Sequence, residues 1–331
     1  MITIYDISEK CGYAPGTVSK ALNNYSGVNE KTRKKILETA KIMGYTPNAN
    51  ARALKSKHSH NLGVLFFIRD SLDITQQLFL QILNEFKCVS ENLGYDITLL
   101  SKGNDIGSQA FVKHCHIRQL DGVLIFGDYT ADLVKELMTS GIPCIGLDYP
   151  GTLISGVTSD NYEKTKEMVL KLIEMGHERI LFLTGEDDFV TEERKNAYAD
   201  AFRQVKKDRL PCVRVGYYNI EACAETTKKL YNELKPTAII FPDDYSAIGG
   251  INALRDMKLS IPEDVSVASF DGSIYASMTS PQQTCVCQDV KAIGKALAEK
   301  LIKTIEEGDE KIERIIIPAT VRITGSCRNI K

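Results

Sequence analysis

The stretch TIYDISEKCGYAPGTVSKALN, residues 3–23, decides the fold of the N-terminal part of the chain. Its first half repeats apolar residues at helical spacing behind Thr3, a capping residue that is followed three positions later by an acid. Gly12 ends this helix, and Pro15 suits the first turn of a second helix. Two short helices joined by a glycine-containing turn are typical of a helix-turn-helix unit, and a third amphipathic helix at about Glu30 to Met43 would close its small core.

The second helix of such a unit enters the major groove of DNA, where its early residues reach base edges and small polar groups contact phosphates. Thr17 and Ser19 are candidate phosphate contacts, and Lys20 is a candidate base or phosphate contact. For each of these residues the alternative is an ordinary exposed helix position.

Charge is divided unevenly along the chain. Residues 1–60 contain ten Lys and Arg against four acids, a net charge of +6, and the remaining residues contain 31 basic and 39 acidic residues, a net charge of −8. A basic head on an acidic body is typical of a module that binds a polyanion, because neutralising phosphates releases counterions. From charge alone, a solvated basic face without a partner remains the alternative.

The composition indicates a globular protein of two or three domains, since 43% of the 331 residues are hydrophobic and 25% are charged. No stretch approaches the roughly 20 apolar residues of a membrane span, and the first 25 residues carry charges where a signal peptide would be apolar. We therefore expect a cytoplasmic protein without a membrane partner.

The nine cysteines are scattered, and we expect buried free thiols rather than disulfides. The only close pair, Cys285 and Cys287, has the period-two spacing of a strand rather than the gap of common zinc or redox sites. His114 and His116 have the same spacing without a second ligand pair nearby. We expect no metal and no cofactor.

Beyond residue 60, short apolar runs alternate with helical stretches such as 77–93, which predicts an α/β body with parallel sheets covered on both faces. Nearly 270 residues of this pattern exceed one doubly wound sheet, so we expect two similar lobes with a cleft between them. The predicted strands are 62–67, 96–100, 122–126, 143–147, 179–184, 213–217, 238–241, 265–270 and 315–317.

Polar residues follow several of these strands, and open α/β sheets bind ligands beyond the carboxyl ends of their strands. Carboxylates that converge on a cleft accept paired hydrogen bonds from sugar hydroxyls. The alternative for each acid is that it caps the next helix. The strand-end residues are Arg69, Asp70, Asp128, Asp148, Asp160, Glu186, Asp243, Asp244 and Asp271.

The run from Thr3 to Ser56 resembles the headpiece of the lactose/galactose repressor (LacI/GalR) family, through T-I-x-D-I, G-x-x-x-x-T-V-S-K-x-L-N, V-N-E-K-T-R, G-Y-x-P-N and A-R-x-L in register. The resemblance implies a hinge helix from Asn48 to Lys55 that forms only on operator DNA, with Leu54 wedged into the minor groove. It also implies base contacts by Tyr5, Lys20 and the start of the second helix (Pro15, Gly16), backbone contacts by Thr3, Thr17, Ser19, Asn23 and Thr32, and a DNA-facing hinge that includes Ala51.

This headpiece departs from the family at the start of the second helix. Pro15 and Gly16 stand where residues that discriminate bases are usual, and Ala14 replaces the usual capping hydroxyl. The operator sequence therefore does not follow from that of a relative.

The body resembles the same family, and through it the periplasmic sugar-binding fold, in the runs SDN at 159–161, GHERILFLTG at 176–185, ERKNAY at 193–198 and IPEDVSVASFDG at 261–272. The family's effector residues map onto Arg194, Asp243 and Asp271, with Asp160 as a weaker candidate. The usual N-P-F-F run is replaced by the segment that begins at Arg69, Asp243 stands where Asn is common, and the chain has no Trp. Aromatic residues that could stack on a sugar instead are Phe67, Phe79, Tyr149, Tyr245 and Tyr275.

The resemblance implies a homodimeric, sequence-specific regulator that reads a pseudo-palindromic operator and represses carbohydrate-utilisation genes under allosteric control by a sugar-like effector. A sugar-binding protein of transport is one alternative, but it needs a signal peptide and no basic head. An α/β enzyme is another, but no G-x-S-x-G, H-E-x-x-H, P-loop or G-x-G-x-x-G pattern is found, so we expect no catalysis. The expected divisions are a headpiece at 1–46, a hinge and linker at 47–60, and an effector and dimerisation domain at 61–331, with a first lobe at about 61–158 and 290–318 and a second at about 159–289 and 319–331.

Overall fold

The computed structural model describes residues 2–22, 26–45, 58–67, 76–101, 108–127 and 131–331, without the side chains of Phe67, Ser101 and Ser108. The chain forms two compact units, Met1–Ser59 and His60–Lys331. Within the described ranges, no helix combines the length and the apolar character that crossing a membrane requires.

The N-terminal unit contains α1 (Ile4–Cys11), α2 (Pro15–Leu22) and α3 (Glu30–Met43). The capping box predicted at the start of α1 is present: the backbone N–H of Thr3 donates to Oδ2 of Asp6 at 2.6 Å, and the Thr3 hydroxyl accepts from the Asp6 N–H. Gly12 ends α1 with a φ of 75°, in the left-handed region that glycine adopts without strain. The three helices share a core built on Ile7, Val18 and Ile36, each fully buried.

The second unit alternates strands and helices, as the sequence predicts. Its strands are β1 (Asn61–Phe67), β2 (Asp96–Ser101), β3 (Gly122–Gly127), β4 (Cys144–Leu147), β5 (Ser155–Ser159), β6 (Ile180–Thr184), β7 (Cys212–Arg214), β8 (Ala238–Ile240), β9 (Ser266–Asp271), β10 (Thr284–Cys287), β11 (Arg314–Ile317) and β12 (Thr320–Arg322). Its helices are α4 (Gln77–Asn92), α5 (Ser108–Ile117), α6 (Ala131–Thr139), α7 (Asn161–Glu174), α8 (Phe189–Gln204), α9 (Ile220–Leu234), α10 (Asp244–Asp256), α11 (Ile274–Met278) and α12 (Val290–Glu307).

These strands form two six-stranded sheets, in the orders β11-β5-β4-β3-β1-β2 and β12-β10-β9-β8-β6-β7. Every pairing is parallel except that of β12, an edge strand antiparallel to β10. A parallel sheet must be covered on both faces, which explains why the strands β3, β6 and β9 are buried almost throughout.

Each sheet has its own core. In the first lobe, α4 and α12 pack on the sheet and bury Phe86 and Leu297. The two helices are in close contact at Gly294 of α12, where a side chain would lie 2.6 Å from the carbonyl oxygen of Ile82 on α4. In the second lobe, α7 and α8 bury Tyr198 and Phe182 against the sheet. The chain passes between the lobes after β5, after β10 and after β11, so each lobe is built from separate segments.

The predicted strands omit β5, β10 and β12, and one predicted strand ends well beyond the observed one. The sequence predicts a strand at 213–217, but β7 ends at Arg214. Gly216 and Tyr218 take left-handed φ angles of 86° and 53°, which turn the chain out of the sheet. The turn carries Tyr217 and Tyr218 to the cleft between the lobes.

Candidate functional site

The first candidate site is the exposed surface around α2 in the N-terminal unit. Pro15, Gly16 and Lys20 are exposed, Thr17 is half-buried, and Tyr5 is 73% exposed. A side chain at Gly16 would meet no atom within 4 Å. This end of α2 is therefore open to a large partner.

Three other predicted DNA contacts have internal roles. Ser19 is only 6% exposed, the Thr3 hydroxyl donates to Asp6 Oδ2 at 2.8 Å, and Thr32 is half-buried where its N–H donates to the Asn29 cap of α3 at 2.8 Å. The remaining predicted contacts, Asn23, Asn48, Ala51 and Leu54, lie outside the described residues.

The second candidate site is a cavity of about 270 Å³ between the two lobes of the second unit. Both lobes line it at the carboxyl ends of their strands, the position expected for a ligand in open α/β sheets. Its lining includes Phe79, Asp148 and Tyr149 from the first lobe and Asp188, Phe189, Arg194, Tyr217, Tyr218 and Asp271 from the second, with Gln288 on the connection between them.

Arg194 on α8 is held rigidly at the wall of this cavity. Its Nε donates to Asn161 Oδ1 at 3.0 Å and its Nη1 donates to the Pro242 carbonyl oxygen at 3.1 Å. The guanidinium stacks on Phe270, 3.9 Å from the ring centroid, and the residue is 5% exposed. Among the described residues Nη2 makes no hydrogen bond, so the group is preorganised and has a donor left for a ligand.

Asp271, at the end of β9, faces the same cavity. Gln288 Nε2 donates to its Oδ1 at 2.8 Å, and the Tyr218 hydroxyl lies 3.4 Å from its Oδ2. Burial, the largest cause, and the negative charge of Asp243 raise the pKa of Asp271 to about 7 against the opposing effects of Arg194 and the Gln288 hydrogen bond. Near neutral pH this carboxyl is therefore present in both protonation states.

Two further acids lie around Arg194. Asp148 accepts a hydrogen bond from Thr158 Oγ1 at 2.8 Å, and burial raises its pKa to about 6. Asp188 caps α8 by accepting from the Thr191 N–H at 2.7 Å, and burial raises its pKa as well. Arg194 lowers the pKa of both of these half-buried acids and that of the buried Asp271, so one guanidinium interacts with three carboxyls at this site.

Aromatic rings complete the lining. Phe79 meets the edge of Tyr218 across the cleft, with ring centroids 5.9 Å apart. Tyr217 shares a hydrogen bond of 2.9 Å between its hydroxyl and Thr191 Oγ1, and its ring packs so closely on Gly185 that a side chain there would lie 2.0 Å away. Flat apolar faces beside polar groups are the combination that binds sugar rings.

Two of the predicted effector residues line the cavity and two do not. Arg194 and Asp271 line the cavity, whereas Asp243 does not: it caps α10 through the Ser246 N–H at 2.7 Å and accepts from the Tyr218 N–H at 2.9 Å. Asp160 caps α7 through the Glu163 N–H at 3.3 Å and is also absent from the lining. For both acids the helix-cap alternative describes the observed contacts, and Arg69 and Asp70 lie outside the described residues.

The aromatic candidates divide in the same way. Phe79 and Tyr149 line the cavity, while Tyr245 and Tyr275 pack against each other with centroids 5.2 Å apart and are not among its lining. The side chain of Phe67 is not among those that the structure describes. Five residues of the site were not predicted from the sequence: Tyr217, Tyr218, Asp188, Gln288 and Asn161. A signal existed for Asn161, because it is the last residue of the family-like SDN run that contains Asp160.

In the described part of the chain no group of three or more His, Cys, Asp or Glu side chains could hold a metal ion.

Both units of the chain are similar to known protein families. Residues 3–48 match the family model for bacterial regulatory proteins of the lacI family, and residues 169–327 match the model for a periplasmic binding protein-like domain. The chain is similar to the HTH-type transcriptional regulator RegA of Clostridium saccharobutylicum, with 30% identity over 320 residues that cover 92% of this chain and 93% of the relative.

Two solved structures share the fold. The lac repressor dimer bound to operator and the anti-inducer ONPF has a TM-score of 0.83 at 21% identity and covers 98% of both chains. The complex of the transcriptional regulator CelR with cellobiose has a TM-score of 0.74 at 20% identity, covering 98% of this chain and 100% of the other. Together with the full-length similarity to RegA, the two matched domains lead to one conclusion: this chain belongs to the lacI family of bacterial regulatory proteins and is a DNA-binding transcriptional regulator.

Proposed function

We propose that this regulator is a homodimeric repressor of carbohydrate-utilisation genes, and that an uncharged sugar bound in the cleft controls its affinity for operator DNA. The observation that carries the proposal is the cavity itself, where Arg194, three carboxyls and the rings of Tyr217 and Tyr218 meet between the lobes. The operator-bound lac repressor dimer and the CelR–cellobiose complex, which share this fold, support it by analogy.

The charges of the cavity favour a neutral ligand. Glu186 and Asp187 are paired with Arg214 at the rim, and within the described part of the lining Arg194 is the one cation beside Asp148, Asp188 and Asp271. An anionic sugar would have to approach this excess of carboxyls, whereas sugar hydroxyls donate to them. A volume of about 270 Å³ lies at the small end of ligand pockets, which favours a mono- or disaccharide.

Control of DNA binding follows from the position of the cavity. A ligand that touches Phe79 and Asp148 on one lobe and Arg194 on the other has a different affinity for each arrangement of the lobes. In a dimer, a change in that arrangement alters how the hinge segments meet, so operator affinity and sugar affinity are reciprocally linked. We propose the divisions 1–46, 47–60 and 61–331 for headpiece, hinge and effector domain.

We propose that Tyr5, Lys20 and the Pro15–Gly16 start of α2 face bases, that the half-buried Thr17 contacts a phosphate, and that Leu54 enters the minor groove. Leu54→Ala should then weaken binding to a specific site several-fold while leaving non-specific affinity unchanged, because the wedge acts only on bent operator DNA. An equal loss on both kinds of DNA, measured by fluorescence anisotropy, would remove Leu54 from this role.

The experiment that tests the proposal is to incubate the purified protein with sheared genomic DNA near physiological salt and to sequence what it retains. Enrichment of one pseudo-palindrome beside sugar-uptake or glycosidase genes would support the regulator and its target class. No enrichment, with or without a panel of sugars present, would contradict it.

The role of the cleft has a matched pair of variants. Arg194→Ala should abolish the effect of sugar on operator binding without changing sugar-free binding, because it removes the guanidinium of the cavity. Arg209→Ala removes an exposed arginine near Tyr198, outside the lining, and should keep the response. A sugar response retained by Arg194→Ala would move the effector site elsewhere.

A further inference from the structure

Two cysteines at the end of β10 lie side by side. Cys285 and Cys287 are two positions apart on one strand, so both side chains project from the same face of the sheet, and their sulfur atoms are 3.5 Å apart. Two residues of an extended strand span roughly 6.6 Å between Cα atoms. That separation lies near the upper end, about 6.8 Å, of the Cα–Cα distances in disulfides, and a disulfide also brings its Cβ atoms to about 4 Å, so the strand must contract locally for the bond to form.

The two thiols have different environments. Cys285 is fully buried, whereas Cys287 is half-buried. Arg322, which pairs with Cys285 across the antiparallel β10–β12 ladder, donates from Nη2 to the Cys285 sulfur at 3.2 Å. The sheet thus holds a half-buried cysteine, a fully buried cysteine and one guanidinium together.

This arrangement gives the two thiols different pKa values and therefore different reactivities. The hydrogen bond from the Cys285 thiol lowers the pKa of Cys287 to about 7, Arg322 acts in the same direction, and the pKa of Cys285 itself is raised. In contrast, burial raises the pKa of Cys115 to about 11 and that of Cys144 to about 12. Since the thiolate is the nucleophile, Cys287 is set apart from these buried thiols at neutral pH.

We propose that Cys285 and Cys287 form an oxidation site at which a hydroperoxide converts the two thiols to an intramolecular disulfide. The Cys287 thiolate attacks one peroxide oxygen, the O–O bond breaks, and hydroxide leaves, which gives a sulfenic acid at Cys287. The Cys285 thiol then attacks that sulfur, the S–O bond breaks, and water leaves with the thiol proton. Two thiols lose two electrons and the peroxide gains them.

The site lies where the chain crosses from the second lobe to the first. Cys287 pairs with Asp271 across β9–β10, and the next residue, Gln288, donates to the Asp271 carboxyl. The Cys287 sulfur also packs on the backbone of Gly272, where a side chain would approach it to 2.6 Å. Closing the sulfurs to a bond shifts this end of β10, so oxidation should alter sugar binding; this second consequence alone rests on the proposed function of the cleft.

The test uses the full-length protein and hydrogen peroxide. Trypsin releases residues 259–291 as one peptide whose only cysteines are Cys285 and Cys287. After mild oxidation and alkylation of free thiols, we expect this peptide to lose two hydrogen masses and to escape alkylation, and dithiothreitol should reverse both changes. Two free thiols in this peptide, at a peroxide dose that already adds oxygen to its Met278, would overturn the proposal.

Variants assign the two roles. Cys285→Ala should leave a sulfenic acid at Cys287 that dimedone traps, and Cys287→Ala should abolish oxidation of cysteine in this peptide. Arg322→Gln should slow disulfide formation by roughly threefold or more, because less thiolate is present. Cys88→Ala, the matched control at an exposed cysteine on α4, should change none of these results. Disulfide formation at the wild-type rate in Arg322→Gln would exclude its role, and dimedone labelling of Cys285 in Cys287→Ala would reverse the assignment.

Discussion

Asp271→Asn should stabilise the effector-free protein at alkaline pH. The substitution keeps the shape of the side chain, and its Oδ1 still accepts from Gln288. The backbone of Asp271 has a φ of 98°, in the left-handed region where Asn is better tolerated than most residues. What the variant removes is the charge of a carboxyl that is 7% exposed.

The magnitude follows from the pKa. Burial raises the pKa of Asp271 from 3.8 to about 7, so stability that the neutral carboxyl provides below pH 4 is lost as the pH rises to 7. A difference of about three pKa units corresponds to about 4 kcal/mol. Because one edge of Asp271 reaches water, we expect the variant to gain about 2 to 4 kcal/mol in free energy of unfolding at pH 8 and less than about 1 kcal/mol near pH 4.

The assay is urea unfolding followed by far-ultraviolet circular dichroism, since the chain has no Trp. Midpoints for the wild type and Asp271→Asn would be measured at several pH values between 4 and 8. Asp96→Asn removes one exposed carboxylate at the start of β2 and reports the effect of net charge alone. An Asp271→Asn variant that is no more stable than the wild type at pH 8 would refute the reasoning.

Three other substitutions test packing at the cleft and in the second lobe. Gly185→Ala would place a methyl group 2.0 Å from the Tyr217 ring. We expect calorimetry to show that sugar affinity falls about tenfold, a loss of ~1.4 kcal/mol in binding free energy, and an unchanged affinity would contradict the position of that ring. Gly249→Ala would bring a methyl group 2.0 Å from the Ile220 carbonyl oxygen and force α9 and α10 apart. We expect the free energy of unfolding to fall by about 1 to 3 kcal/mol, and an unchanged free energy in urea unfolding would contradict this packing. Tyr198→Phe leaves two backbone carbonyl oxygens without the hydroxyl that donates to them at 2.7 and 3.1 Å; it should cost about 1 to 2 kcal/mol, and a neutral result would show that other donors replace it.

The head and the general architecture could be predicted because local signals decide them. The capping box of Thr3 and Asp6, the glycine stop at Gly12 and the amphipathic period of α3 all appear in the structure. In the body, apolar strands such as β3 are also visible in the sequence. β5 reads SGVTS and is only modestly apolar, so its burial comes from its place between β4 and β11 rather than from its composition.

The cleft was harder to predict because tertiary turns build it. Asp243 and Asp271 both follow strands in the sequence, yet one turns back to cap a helix while the other faces the cavity. Tyr217 and Tyr218 look like strand residues until Gly216 turns the chain. Which acid faces a ligand depends on these backbone angles, for which the sequence pattern carries no clear signal.

The most direct test of the central claim is operator affinity measured by fluorescence anisotropy while sugar is titrated, in the wild type and in Arg194→Ala. The proposed mechanism predicts that sugar changes the wild-type operator affinity by at least about fivefold, the lower range of allosteric coupling, and leaves the variant unaffected. The same shift in both proteins would contradict control through the cleft.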